Sequence, residues 1–320
     1  MTAGRRQGSS LGARAGAVAV GLALDWALGE PPARIHPVAR FGQAMVRAEE
    51  RWWADRRSAG VRHAALGVLP AGAAGLVAER VAGRAPSLAG GTALTAAGRS
   101  LFGACADVAR ALEAGDVAAA RDLLPTLVGR DPQGLDEKEI ARAVIESLSE
   151  NLCDAVVASA FWGVVAGTPG VLAHRAANTL DAMVGHRSAR YERFGWAAAR
   201  LDDLLAWPPA RLTALLVVLA EPDRAREVVQ AVRLDAPAHP SPNAGVAEAA
   251  FAGALGLRFG GTVSYGGRAE VRPMLGSGRP PEAADIARAL ALARRVVALL
   301  ELLLVATALI GAWRRRDGAR

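Results

Sequence analysis

The sequence predicts an all-α fold: a polytopic integral membrane protein with about four to five membrane helices and additional interfacial helices. Apolar residues make up 52% of the chain and aromatics only 5%. Mean hydropathy is +0.20, and Ala, Leu, Val and Gly dominate, a composition that suits helices packed closely in lipid. No sustained Val/Ile/Thr/Tyr alternation marks strands. The net charge of +7 rests on arginine, Lys138 being the single lysine. Arginines flank apolar runs, as at Arg5, Arg6, Arg14 and Arg314 to Arg316. They do not gather with aromatics on a polar domain, so a lipid bilayer with anionic headgroups is the expected partner and nucleic acid is not. Cys105 and Cys153 lie far apart and support neither a disulfide framework nor a zinc site; both read as small packed residues.

In order, residues 1–14 read as a flexible basic leader to a single membrane domain spanning 1–320. Residues 15–29 (AGAVAVGLALDWALG) read as a retained first membrane helix. Asp25 and Trp26 interrupt the apolar region and no small-x-small cleavage site follows, which argues against a signal peptide. Residues 30–62 begin as a proline-led loop with His36-Pro37 as a fixed kink, then become a helix rich in both charge signs. Residues 64–82 form a weaker apolar segment with Pro70 inside. Residues 83–150 and 222–295 read as polar helical and loop insertions. Within the first, Gly115-Asp116 reads as a helix stop followed by an N-cap, Arg130-Asp131 as exposed loop, and Asp136 to Glu139 as an acidic helix start. Pro208-Pro209 is a helix entry for the span reaching residue 220. HPSPN, from His239 to Asn243, reads as an ordered turn ahead of a small-residue helix over 244–257 and a glycine-rich loop with Tyr265. Residues 296–313 form a last span carrying Glu301, anchored by Trp313 and three arginines.

The chain is organised around residues 146–207. There an uncharged run, 155–173, is bracketed by Glu146, Glu150, Asn151 and Asp154 on one side and by Asn178, Asp181, Asp202 and Asp203 on the other. Glu146, Glu150 and Asp154 recur every four residues and so share a helix face, where their repulsion calls for a cationic partner. Asn178 and Asp181 share a face in the same way. Acids and amides at both mouths of an apolar segment point to a polar site. Gly167-Thr168-Pro169-Gly170 ends or kinks a helix inside the run. Residues 155–167 cover roughly 20 Å of helix, short of a bilayer core of about 30 Å. Either one span is kinked here, or two half-helices dip in and return.

Four blocks, in order, together resemble the CobD/CbiB family of membrane-bound adenosylcobinamide-phosphate synthases of cobalamin biosynthesis. They are LDWALGEPPARIHPVARFG, IESLSENLCDAVVASAFW, RAANTLDAMVGHRSARYERFGWAAARLDDLLAWPPARLT and HPSPNAGVAEAAFAGALG. The chain departs from the family pattern at Arg175, His186, Ala206 and Val246-Ala247. The resemblance implies a multi-pass protein of the cell (inner) membrane. It would be an ATP-dependent amide ligase joining aminopropanol, or its phosphate, to the propionate carboxylate of adenosylcobyric acid, with ATP and Mg2+ as cofactors. No P-loop is present, so nucleotide binding follows from the resemblance alone. On this reading Glu150, Asp154, Asp181 and Asp203 position metal and phosphate, and His239 takes the amine proton or caps its turn. Asn151, Asn178 and Asn243 hold substrate or nucleotide. Asp25, Glu146, Asp202, Ser241 and Tyr265 complete the binding set, and Arg200 either neutralises phosphate or pairs with Asp203. Contact with other cobalamin-pathway enzymes is also expected. The rival readings are a non-catalytic membrane scaffold or carrier for corrinoids, and a transporter, which repeat symmetry between halves would favour.

Overall fold

A computed structural model describes residues 2–129, 132–186, 188–265 and 268–317, and the side chains of 11–129, 132–186, 188–261 and 271–317. The expected loop at Arg130-Asp131 lies outside the described residues, as do the side chains of the first ten residues of the expected leader. Twelve α-helices and one hairpin make up the described chain. Five helical stretches are long and apolar enough to cross a membrane: Leu11–Leu28, Arg57–Ala82, Glu137–Gly185, Trp196–Ala220 and Ala283–Asp317. The fold is therefore an all-α polytopic membrane architecture.

The chain divides into two compact units. The first holds the residues up to Gly98, Ala155–Ala206 and those from Glu301 on; the second holds Arg99–Asp154 and Trp207–Leu300.

In the first unit, α1 (Thr2–Leu28) packs on α4 (Arg84–Ala96) and α8 (Ala158–Leu180), and α3 (Arg57–Ala82) packs on the same two helices. The helix α2 (Pro37–Trp52) starts where proline fixes the first turn, and His36 caps it by accepting the Val38 N–H at its Nδ1, 3.2 Å away. Pro70 lies within α3, which is longer than its apolar segment suggested. A core of Met45, Ala59, Leu180, Val184, Phe194 and Ala198 joins α2, α3, the end of α8 and the start of α9 (Trp196–Ala220).

The run inside α8 resolves into two half-helices. Gly167 takes φ 71°, ψ −158°. A Cβ on Gly163 would sit 3.3 Å from Val171 Cγ2, and one on Gly170 would sit 2.8 Å from the Trp162 carbonyl oxygen. Residues eight apart in a straight helix lie about 12 Å apart, so the halves fold back on one another. The break exposes backbone that the helix no longer satisfies, and two distant side chains supply partners. Glu79 Oε1 accepts the Thr168 N–H at 3.1 Å, and Arg14 Nη1 donates to Val165 O at 2.7 Å and Val164 O at 3.4 Å. An anion thus meets the N-terminal end and a cation the C-terminal end, each the favourable sign for the helix dipole.

In the second unit, α5 (Gly98–Glu113, all but its first residue here) stops at Gly115, φ 74°. Asp116 then caps α6 (Val117–Leu123) by accepting the Ala119 N–H at 2.9 Å. Burial pushes the Cys105 thiol of α5 up to about 12, and Cys153 is equally buried, so both cysteines are packed residues. The helix α7 (Glu137–Asn151) opens with a reciprocal capping box between Asp136 and Glu139. After it comes a π-helical turn, Leu152–Val157. Close by, α10 (Ala225–Leu234) packs on α11 (Ala244–Leu255) through Gly253, whose Cβ would lie 2.7 Å from Val228 Cα. All of α11 is buried.

The stretch expected as a glycine-rich loop is instead an antiparallel hairpin of β1 (Phe259–Tyr265) and β2 (Arg268–Leu275). Gly260 and Gly261 both take φ 90° at a register shift, a bulge that L side chains resist. The glycines that suggested a loop thus shape a strand. The last helix, α12 (Ala283–Asp317), begins well before the apolar span read from sequence. Its Asp285 is held by Arg279 at 2.7 Å and Arg288 at 2.6 Å.

Candidate functional site

Within the second unit, α7, residues 127–129, the HPSPN turn, α11 and the hairpin line a partly open cavity of about 130 Å³. Its polar lining is Glu146, Ser147, Glu150, His239, Glu248 and Arg272. Glu146 and Glu150 enter from successive turns of α7, as their spacing predicts. Glu146 Oε1 accepts the Gly260 N–H at 3.1 Å and lies 3.9 Å from Arg142 Nε, while Arg142 Nη1 donates to Gly260 O. The cation that the acidic face calls for is therefore Arg142, one turn upstream. Both hold the bulged backbone of β1 against α7.

His239 is buried in this lining. Its Nδ1 faces Ser241 O and Ser241 N, each at 3.1 Å. Its Nε2 lies 3.2 Å from Arg272 Nη1 and 3.8 Å from Glu248 Oε1. The site thus sets an imidazole between a carboxylate and a guanidinium, beside two further carboxylates, an arrangement able to bind an ammonium group and to move its proton.

Other sequence-derived residues stand around the cavity in supporting positions. Asn151 donates to Ser147 O at 2.9 Å and Ser147 Oγ at 3.1 Å, and Ser147 in turn donates to Leu127 O at 2.7 Å. Ser241 Oγ accepts the N–H groups of Asn243 and Ala244, at 3.3 and 3.2 Å, and so opens α11. Asn243 is buried and its Oδ1 accepts from Arg211, which lies over the Trp207 ring at 4.5 Å. Asp154 lies in the π-helical turn and is not part of the cavity lining. That wider turn rotates later side chains out of the four-residue register. Tyr265 falls in β1, with its side chain outside the described ones.

The remaining residues lie in the first unit, where Asp181, Asp203 and Arg200 come near one another. Asp181 opens a π-helical turn, Asp181–Gly185, and its Oδ1 lies 1.8 Å from where a Gly185 Cβ would be. Glycine there makes room for the carboxylate. Asp203 is near enough for the two charges to repel, and Arg200 pairs with Asp203 at 3.3 Å. Arg175 donates to Asn178 at 3.4 Å. Asp202 is buried. Buried Asp25 accepts the Gly98 N–H at 2.8 Å, at the start of α5, a capping position that the helix dipole favours. Among the described residues no three His, Cys, Asp or Glu side chains converge as metal ligands.

Arg142, Glu248 and Arg272 were not among the residues that the sequence singled out. Glu248 sits nine residues after His239, in a helix whose other side chains are apolar, where a lone carboxylate was the available signal. Arg272 carried none, because its segment read as loop.

The family model described as "CobD/Cbib protein" matches residues 18–293. The chain is 48% identical to "Cobalamin biosynthesis protein CobD" of Mycobacterium tuberculosis (strain ATCC 25618 / H37Rv), over 89% of this chain and 93% of that protein. It is 44% identical to the protein of the same name from Rhodobacter capsulatus, over 89% and 94%, and 42% identical to that from Chromobacterium violaceum, over 92% and 96%. No solved structure matches the chain.

Proposed function

Because the chain belongs to the CobD/CbiB family, and with it to cobalamin biosynthesis, we propose that it is an ATP-dependent amide ligase. It joins aminopropanol, or aminopropanol phosphate, to the propionate carboxylate of adenosylcobyric acid. The observation that supports this most is His239, seated between Glu248 and Arg272 in an acid-lined cavity. An amine arrives as an ammonium ion and must lose a proton before its lone pair can attack. The cavity carries Glu146, Glu150 and Glu248 to attract that cation, and His239 to receive the proton at Nε2. Glu248 then faces the imidazolium and stabilises it.

A carboxylate does not react with an amine unaided, and ATP supplies the activation, as an acyl phosphate or adenylate. Activation releases ADP or pyrophosphate. His239 then takes one proton from the ammonium group, the freed lone pair forms the C–N bond as the C–O bond to phosphate or AMP breaks, and the second nitrogen proton leaves with the departing phosphate or AMP. Mg2+ would come with the nucleotide; besides the phosphates and waters it needs only one or two carboxylates of the chain, which Glu150, Asp181 or Asp203 would supply.

Purified protein in nanodiscs, given adenosylcobyric acid, aminopropanol phosphate, ATP and Mg2+, should yield the amide by mass spectrometry only when all four are present. His239→Ala should lower the rate by about 10²–10⁴-fold, and Asp203→Asn tests the second acidic group. Folded protein that binds the corrinoid yet makes no amide overturns the ligase reading in favour of a scaffold or carrier.

A further inference from the structure

Two charged groups compete for one nitrogen. Arg272 Nη1, from β2, lies 3.2 Å from His239 Nε2, and Glu248 Oε1, from α11, lies 3.8 Å from it. A guanidinium only donates, so Nε2 is the acceptor and the ring proton sits on Nδ1, donated to Ser241 O at 3.1 Å. Glu248 is beyond direct hydrogen-bond reach. In this arrangement the lone pair that would take a proton is already engaged. The same turn also offers the Ser241 N–H to Nδ1 at 3.1 Å. It can therefore hold the other tautomer, with the proton on Nε2 toward Glu248, as soon as Arg272 withdraws.

We propose that Arg272 occupies the proton-accepting lone pair of His239 in the resting site and leaves it for the anionic group of an incoming substrate, so that His239 becomes a base only when the site is loaded. This rests on the ligase reading in one respect, the role of His239 as base. Once Arg272 turns to the substrate anion, Nε2 faces Glu248 alone. The proton taken from the ammonium group then lies between Nε2 and Glu248, while Nδ1–H stays on Ser241 O. Glu146 and Glu150, the other charged groups of the lining, keep the ammonium near. Arg142 remains on Glu146 and Gly260 and has no part in the exchange.

The test needs no turnover. Diethyl pyrocarbonate acylates an imidazole nitrogen whose lone pair is available, and peptide mass spectrometry reports the rate at His239. Full-length protein in nanodiscs should react about 10-fold faster, or more, as Arg272→Gln than as wild type, the scale of a lost charge-assisted hydrogen bond. Inorganic phosphate should accelerate the wild type and leave Arg272→Gln unchanged. Equal rates in the two proteins, with no response of the wild type to phosphate, overturn the proposal. If Arg272→Gln does not fold, Arg272→Met replaces it; it keeps the aliphatic stem, has no donor for Nε2 and predicts the same acceleration. In the ligase assay Arg272→Gln should raise the KM for the anionic amine substrate. Accelerated labelling with no amide from any variant retires the ligase reading and keeps the arginine's role, whereas amide formation with equal labelling does the reverse.

Discussion

His239 reaches its cavity because position 245 has no side chain. A Cβ on Gly245 would lie 2.4 Å from His239 Cβ and 2.8 Å from its Cγ, so the HPSPN turn rests directly on the first turn of α11. Gly245→Ala should push the imidazole away from Arg272 and Glu248. The expected loss is about 1–3 kcal/mol of stability from overpacking together with at least a 10-fold drop in amide formation, the scale set by misplacing a catalytic group. Thermal unfolding in detergent and kcat from the same preparation check it; unchanged kcat would show that the turn does not depend on this glycine. At this scale the sequence was legible where chemistry is local. Glu146 and Glu150 announce themselves by their four-residue spacing, and His239 by the two prolines that fix its turn. Arg142 and Arg272 were illegible because what matters about them is their partner, Gly260 for one and His239 for the other, and those contacts close over 118 and 33 residues.

Among the elements, the broken α8 shows the same division. Its GTPG motif told that a helix must break there; whether the halves bend or return depended on residues that touch across the break. Gly163 and Val171 let the halves meet, and Glu79 and Arg14 satisfy the exposed backbone ends. Glu79→Ala should cost about 1–3 kcal/mol by leaving the Thr168 N–H without an acceptor, with Glu79→Gln milder because its amide oxygen still accepts. Thermal unfolding of both variants in the same detergent checks the order, and equal losses would mean that Glu79 acts through its charge alone. The hairpin of β1 and β2 escaped the sequence reading for a different reason. Its strands are short and rich in glycine at the bulge, so propensity favoured loop, and pairing across the two strands decided otherwise.

For the whole molecule, composition foretold the class. Five helical stretches of membrane length carry the apolar excess, and Leu69 and Val81 of α3 and Leu309 of α12 remain exposed on the folded chain, as side chains facing lipid would be. The polar lock at Gly167 also sets a schedule for biosynthesis. Glu79 precedes its partner by 89 residues and Arg14 precedes Val165 by 151. At about 5–20 residues per second, these charges wait roughly 4–18 s and 8–30 s for the backbone that will receive them. A nascent chain stopped near residue 160 has neither Val165 nor Thr168, and its α1 and α3 should integrate into membranes less completely than those of a chain stopped near residue 190. Arg14→Gln with Glu79→Gln should restore the shorter chain, and equal integration of all three would show that the charges wait without cost. The ribosome thus delivers the lock before the element it fastens, and for those seconds the half-made protein depends on the insertion machinery to shelter two ions.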